Sequence, residues 1–483
     1  MKNCFGFIST VAICIGLLPA GVLAVTEVTH TASVTYTLET PDTSYIKKYF
    51  NTDIAVREYS HKIDVNQDGF FDVLLEEGIL FGSDSLQSAY SHDDLNTRIL
   101  QSENLDGSGE HMYEDIRFLA DVNGDTFADN ILANGKIYFG SEQQSGDIFT
   151  DMQAPNVTFT HEETQRKEYN DFAEVVPIAT ADINGDGISD LFIRVLVADD
   201  ESAHRYVGLF IVYGSTTLPS TIELSTDADG YIELGKNSYI EVLNLGDVNN
   251  DGYEDVGMIV SQNGARPKYM RIYFGRRRFV KRFQGTLPKT PVRIQIPPVS
   301  STSEAGKITA AGDVNGDGFD DLMMSNPVAD RSAVTDAGKV FIFFGKKSFH
   351  KRTRKLTSAN IVLKGELKNS YAGIDIAHIG DVNADGIDDL LIGFGTNGLY
   401  VDDADRFAYI VWGNKNWNRN QHKNIVLSSD TYIQLSMLSE IFATSVGNIN
   451  GIPGDEFVVY NSIYEHNEGK SYILTYTDLP TQE

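Results

Sequence analysis

A nine-residue pattern, Asp-x-Asn-x-Asp-(Gly)-x-x-Asp, starts at Asp64, Asp121, Asp182, Asp247, Asp313 and Asp381, and a worn seventh copy starts at Asn448. Successive starts lie 57 to 68 residues apart. Near-constant spacing of that size marks one supersecondary unit copied along a repeat architecture. A chain of 483 residues would otherwise suggest about three domains; the repeat replaces that expectation with one large domain over residues 25–483.

The residue types explain the spacing. In the fifth copy Asp313, Asn315 and Asp317 offer side-chain oxygens at alternate positions, Gly318 permits a sharp turn, and Asp321 closes the loop. A hard cation such as calcium takes six to eight oxygens, and mixed carboxylate and amide donors supply them. The same reading assigns as ligands Asp64, Asn66, Asp68 and Asp72; Asp121, Asn123, Asp125 and Asp129; Asp182, Asn184, Asp186 and Asp190; Asp247, Asn249, Asp251 and Asp255; and Asp381, Asn383, Asp385 and Asp389. Up to six calcium ions are expected. Position seven would lend only its carbonyl, and its side chain, Phe70, Phe127, Ile188, Tyr253, Phe319 or Ile387, is expected to point inward. The second copy carries Thr126 in place of glycine and should bind more weakly; the seventh has Ile452 in place of the central aspartate and should be metal-free.

An EF-hand needs a glutamate at position twelve and a flanking helix on each side. Position twelve here is Leu75, Leu132, Ile193, Met258, Met324 or Ile392, so that reading fails. Short apolar, strand-like runs flank each loop instead, such as Asp389-Leu390-Leu391-Ile392. Downstream lies a second recurring element of β-branched and aromatic residues ended by glycine: Ile79 to Gly82, Ile137 to Gly140, Ile211 to Gly214, Ile272 to Gly275, Ile342 to Gly345 and Ile410 to Gly413. It reads as a strand and its turn.

With these two elements the chain resembles the FG-GAP repeat of integrin α-subunit N-terminal regions and of many secreted bacterial proteins; Asp313 to Asp321 carries the signature. The resemblance implies an all-β, seven-bladed β-propeller with calcium-binding hairpin loops. An N-terminal strand, Ser33 to Leu38, is expected to complete the last blade and close the ring.

The first 24 residues read as a signal peptide, with Lys2, an apolar stretch from Phe5 to Leu18 and a small-residue cleavage site ending at Ala24. Cys4 and Cys14, the two cysteines of the chain, both fall inside it, so disulfides are not expected to brace the mature protein. Bulky Ile13 disfavours Cys14 as a lipid anchor. No later run approaches membrane-spanning length. The expected location is secreted or extracellular, with the periplasm as alternative, and the expected state is monomeric. The formal net charge of −29 argues against nucleic-acid binding.

Charge is unevenly placed. After the glycine-ended strands of the fourth, fifth and sixth units come Arg276, Arg277, Arg278, Lys281 and Arg282; Lys346, Lys347, Lys351, Arg352, Arg354 and Lys355; and Lys415, Arg419 and Lys423. The first two units carry Asp84, Asp93, Asp94, Glu142 and Asp147 there. One reading is solvated loops; the other is a basic face that docks a protein or an anionic glycan, with Trp412 and Trp417 beside it. The ten histidines form no His-x-x-x-His pair, and no nucleophile elbow, phosphate loop or Arg-Gly-Asp tripeptide occurs. The expected function is a calcium-binding binding or adhesion module. The alternative is a secreted polysaccharide- or lipid-degrading enzyme, for which Glu76, Glu77, His204 and His378 are the candidate residues.

Overall fold

The computed structural model describes residues 21–25, 46–47, 62–75, 78–85, 97–98, 116–141, 146–147, 154–162, 172–198, 204–234, 238–262, 268–278, 284–285, 292–297, 306–347, 353–395, 406–417, 422–427, 433–437, 440–463 and 468–478. The protein is all-β, with one four-residue α-helix, Leu224–Asp227, among the described residues. The described strands form seven separate sheets of four or five strands, one for each copy of the loop.

The fifth sheet shows the plan. Ile308–Gly312 pairs antiparallel with Asp321–Asn326, which pairs with Lys339–Phe343, which pairs with Ile361–Gly365. The nine-residue loop joins the first two strands, and the glycine-ended element is the third. The fifth strand, Lys423–Leu427, is borrowed: it belongs to the next repeat and runs parallel to Ile361–Gly365. The same parallel handover joins Gly146–Asp147, Thr221–Glu223, Gln284–Gly285 and Thr353–Arg354 to the sheets of the preceding repeats. A borrowed strand satisfies edge groups that would otherwise face water or another chain.

Burial follows position in the sheet. The second strand of the sixth sheet, Asp389–Phe394, is buried at every residue, because neighbouring sheets cover both of its faces, and a strand so placed reads as a continuous apolar run. The outer strand Ile361–Gly365 instead alternates buried and half-buried residues. The core lies between sheets. Val340, Ile342 and Leu363 of the fifth sheet pack with Leu390, Ile392 and Tyr409 of the sixth, and Val73 and Leu80 of the first pack with Val446 and Val458 of the seventh.

The chain's last strand, Glu468–Asp478, pairs with two N-terminal segments, Gly21–Val25 and Ile46–Lys47. The segment expected to fill this place, residues 33–38, lies outside the described residues. Gly21–Val25 instead overlaps the expected cleavage site.

Candidate metal centres

The six full loops share one hydrogen-bond scheme. Each first-position aspartate accepts the N–H of position six through Oδ2: Asp64 from Gly69 at 2.8 Å, Asp121 from Thr126 at 2.8 Å, Asp182 from Gly187 at 2.9 Å, Asp247 from Gly252 at 2.7 Å, Asp313 from Gly318 at 2.6 Å and Asp381 from Gly386 at 2.8 Å. This folds the loop back on its own first residue. Asn66, Asn123 and Asn383 accept the position-five N–H of Asp68, Asp125 and Asp385 through their Oδ1 atoms. Asp68, Asp125 and Asp186 in turn accept from position seven.

Position nine ties the loop to the third strand. Oδ1 of Asp72, Asp129, Asp190, Asp255, Asp321 and Asp389 accepts the N–H of Gly82, Gly140, Gly214, Gly275, Gly345 and Gly413, at 2.8 to 3.0 Å. The glycine is required by close approach: a Cβ on Gly345 would come within 2.3 Å of the Asp320 carbonyl. The two elements seen separately in the sequence are thus one joint, closed by the aspartate. The N–H of position two donates to the other oxygen in the first, second, third and sixth loops.

These six carboxyls are buried, five of them at 0% exposure and Asp72 at 4%, so desolvation disfavours their charged forms. Burial, reinforced by the neighbouring position-one and position-five aspartates, pushes Asp72 and Asp129 up to about 7, Asp255 and Asp389 to about 8 and Asp190 to about 9; Asp321 is raised well above its ordinary value by the same causes. Three carboxylates and an amide per loop are the donor set of a hard divalent cation, and a cation there would lift the repulsion. Among the described residues, no group of three or more His, Cys, Asp or Glu side chains is placed so as to hold a metal ion.

Thr126 has the positive φ expected of that position, 76°. The seventh loop closes without an acid at position five: Asn448 Nδ2 donates to the Ile452 carbonyl at 2.5 Å, and Asn450 Nδ2 donates to Glu456 Oε1 at 2.7 Å. The inward anchor is position two rather than position seven. Val65, Val122, Ile183, Val248, Val314, Val382 and Ile449 are 0 to 1% exposed, whereas at position seven Ile387 is buried as expected but Phe70, Phe127, Ile188, Tyr253 and Phe319 are half-buried. A β-branched residue at position two of every copy was the available signal.

Each loop is joined to the next. The N–H of position eight donates to the first-position carbonyl of the preceding loop: Ser189 to Asp121, Glu254 to Asp182, Asp320 to Asp247, Asp388 to Asp313, Asp455 to Asp381 and Phe71 to Asn448. Gln67 Nε2 donates to Thr126 Oγ1 at 2.6 Å and links the first loop to the second. Where position eight is acidic, its side chain also receives the first-position N–H of the preceding loop: Glu254 from Asp182 at 2.6 Å, Asp320 from Asp247 at 2.6 Å, Asp388 from Asp313 at 2.7 Å and Asp455 from Asp381 at 3.0 Å. Burial raises Glu254 and Asp320. Burial acts on Asp388 too, but the hydrogen bond and charge of His378, whose Nε2 lies 3.2 Å from Asp388 Oδ1, hold it below its ordinary value. Lys62 pairs with Asp455 at 2.7 Å across the seventh and first repeats.

Of the residues weighed for catalysis, Glu76 and Glu77 lie outside the described residues, and His204 begins the strand His204–Val212. His378 serves the joint just described. Trp417 is a core residue, 6% exposed and packed among Phe344, Leu427 and Val411. Lys281, Arg282, Lys351, Arg352 and Arg419 lie outside the described residues. No helix among the described residues is long and apolar enough to cross a membrane.

Residues 305–343 match the family profile described as FG-GAP repeat. A 170-residue stretch, 34% of this chain, is 28% identical to integrin alpha-4 of Xenopus laevis and spans 15% of that protein. The repeated loop, the glycine-ended strand locked to it and these two matches together support an integrin-α-like FG-GAP repeat family for the chain.

Proposed function

We propose that the protein is an exported, calcium-stabilised, seven-bladed β-propeller that acts as a binding or adhesion module for a protein or glycan partner. The observation that carries this reading is the unbroken series of loop-to-loop bonds from the first repeat to the seventh and from Asn448 back to Phe71. Such a series fits a closed wheel of sheets, a fold in which short protected edges replace open ones. Calcium fits the oxygen-only donor sets of the six full loops: Asp313, Asn315, Asp317 and Asp321 would hold the ion in the fifth, and the corresponding residues elsewhere. The ion would supply positive charge among carboxylates that otherwise repel. Binding at ten times Kd stabilises by roughly 1.4 kcal/mol per site, and several such sites rival the marginal stability of about 5–15 kcal/mol of an ordinary domain.

Export rests on the signal-like residues 1–24. Removal of residues 1–24 would take away most of Gly21–Val25 and leave Ile46–Lys47, with the segment around Ser33 to Leu38, to close the last blade. The relative is named as an integrin alpha chain, and a protein partner is proposed on that likeness. The test is an array of extracellular proteins and glycans probed with purified protein, with and without calcium. Calcium-dependent retention on a protein or glycan is the expected result. Turnover of a polysaccharide or lipid without stable retention would overturn the module in favour of an enzyme.

A further inference from the structure

Five of the segments that follow the glycine-ended strands lie on the same face as the acidic loops, each wedged at a junction between repeats. Ser83, Ser215, Arg276, Lys346 and Asn414 each donate their N–H to the position-two carbonyl of the preceding loop, on Ile449, Val122, Ile183, Val248 and Val314. Equivalent backbone bonds put these segments at equivalent places around the molecule. Their side chains are not equivalent. In the first and third repeats the segments read Ser83-Asp84 and Ser215-Thr216-Thr217; in the fourth, fifth and sixth they read Arg276-Arg277-Arg278, Lys346-Lys347 and Asn414-Lys415.

Three consecutive repeats of an acidic protein therefore carry an arc of cations. Arg277, Arg278, Lys347 and Lys415 are exposed, and among the described residues Arg277, Arg278 and Lys347 enter none of the ion pairs, which are Lys62–Asp455, Lys307–Asp375 and His378–Asp388. Lys415 leans back on the sixth loop, its Nζ donating to the Asp385 carbonyl at 3.2 Å. The arginines are not merely strewn on the surface. With Tyr253 they line an open cleft of about 650 Å³, and the Tyr253 ring is seated against Gly185 of the third loop.

We infer that this arc, centred on the cleft of Arg276, Arg277, Arg278 and Tyr253 and running on to Lys347 and Lys415, binds an anionic polysaccharide through its sulfate or carboxylate groups. Guanidinium forks match both anions with paired hydrogen bonds. A phenol ring standing beside them offers a face for a sugar ring, which an acidic peptide does not need, and this favours the saccharide over a protein. A polymer with one anion per sugar can meet cations on successive repeats at once, and multivalent contact multiplies weak single affinities. The chain's net charge of −29 disfavours such a ligand away from its cationic segments. The assignment rests on the reading of the protein as a binding module and names the partner's chemistry.

The test measures binding of the full mature chain, in calcium buffer, to immobilised dextran sulfate, polygalacturonate, neutral dextran and poly-glutamate. The variants are R277E/R278E and, at the opposite end of the strands of the fifth sheet, K364E/K368E, each first shown to keep the wild-type calcium-dependent melt. The expected result is retention on dextran sulfate, polygalacturonate or both, none on neutral dextran, weaker retention on poly-glutamate, a loss of about tenfold or more for R277E/R278E, and an unchanged affinity for K364E/K368E. Retention on only one of the first two identifies sulfate or carboxylate as the group read. Absence of binding to either, equal binding of R277E/R278E, or tighter binding to poly-glutamate would overturn the assignment, the last in favour of an acidic protein partner. A calcium-dependent melt without any such binding would leave the calcium-stabilised propeller standing and remove only the saccharide.

Discussion

The backbone N–H of Phe71 donates to the carbonyl of Asn448 at 3.1 Å, a bond between the first loop and the seventh. It repeats, across the two ends of the domain, the bond that Asp320 makes to Asp247 and Asp388 makes to Asp313. The seventh loop, although it has lost an acid, keeps the backbone geometry that this junction requires. Ser83 adds a second bond to Ile449 at 2.8 Å. A worn repeat is thereby retained for its carbonyls rather than for its side chains.

The position-eight acids act as clasps between repeats. Replacing Asp388 by alanine leaves the Asp313 N–H and His378 without their acceptor, and an orphaned buried donor costs about 1–3 kcal/mol. Asp388→Ala is expected to lower the unfolding free energy by that amount in calcium buffer, read as a lower urea midpoint, and Asp388→Asn, which keeps an acceptor oxygen, by less. Equal midpoints for Asp388→Ala and the parent would contradict the clasp.

Two glycines with nearly the same backbone should respond differently to alanine. Gly386 has φ 82° and nothing within 4 Å of an added Cβ; Gly380 has φ 79°, but its Cβ would come within 2.3 Å of Asp455 Oδ2 and 2.6 Å of Ser445 Oγ. Gly386→Ala should cost about 1 kcal/mol of backbone strain. Gly380→Ala should cost that and about 1–3 kcal/mol more for the overlap. Thermal melts of the two variants compare them directly, and similar losses would refute the packing at the Asp455 clasp.

Thr126 holds φ 76° in the second loop, where a side chain is strained. Thr126→Gly removes about 1 kcal/mol of strain and gives up an exposed bond from Gln67 worth about 0.5 kcal/mol. A small rise in melting temperature is expected, with tighter calcium binding at the second loop seen by calorimetric titration. A lower melting temperature would show that the Gln67 link outweighs the strain.

Proton linkage gives the apoprotein an unusual pH profile. The position-nine carboxyls of Asp190, Asp255 and Asp389 stand at about 9, 8 and 8 in the fold, against an ordinary value of 3.8. The folded state therefore holds protons that the unfolded chain has released, and stability falls as pH rises from about 4 through about 9. In excess chelator the urea midpoint should be higher near pH 5 than near pH 8; with calcium present, the ion competes with those protons and the difference should shrink or reverse. A chelated midpoint that climbs between pH 5 and pH 8 would contradict the burial of these groups in the metal-free fold.

Much of this was legible in the residues. The loops, the strands around them and the glycine-ended third strand are written in local pattern, because oxygen donors at alternate positions and continuous apolar runs after them leave few alternatives. The contacts between repeats were not. Glu254, Asp320, Asp388 and Asp455 look like extra loop acids in the sequence, and only the adjacent repeat, more than 60 residues away, supplies the N–H that each one receives. Borrowed strands such as Gln284–Gly285 and Thr353–Arg354 are too short to carry any period. Trp417 stood beside a basic segment in the sequence, yet the chain turns it into the core. The constant apolar residue at position two, the true anchor of the loop, was visible throughout but is outweighed to the eye by the larger side chains at position seven.

Native mass spectrometry of the purified mature chain, stripped with chelator and then titrated with calcium, tests the central claim most directly. About six bound ions are expected at saturation, one fewer after Asp313→Ala, and no loss after Asn448→Ala. A chain that takes up no calcium, or that keeps the same number of ions after Asp313→Ala, would contradict it.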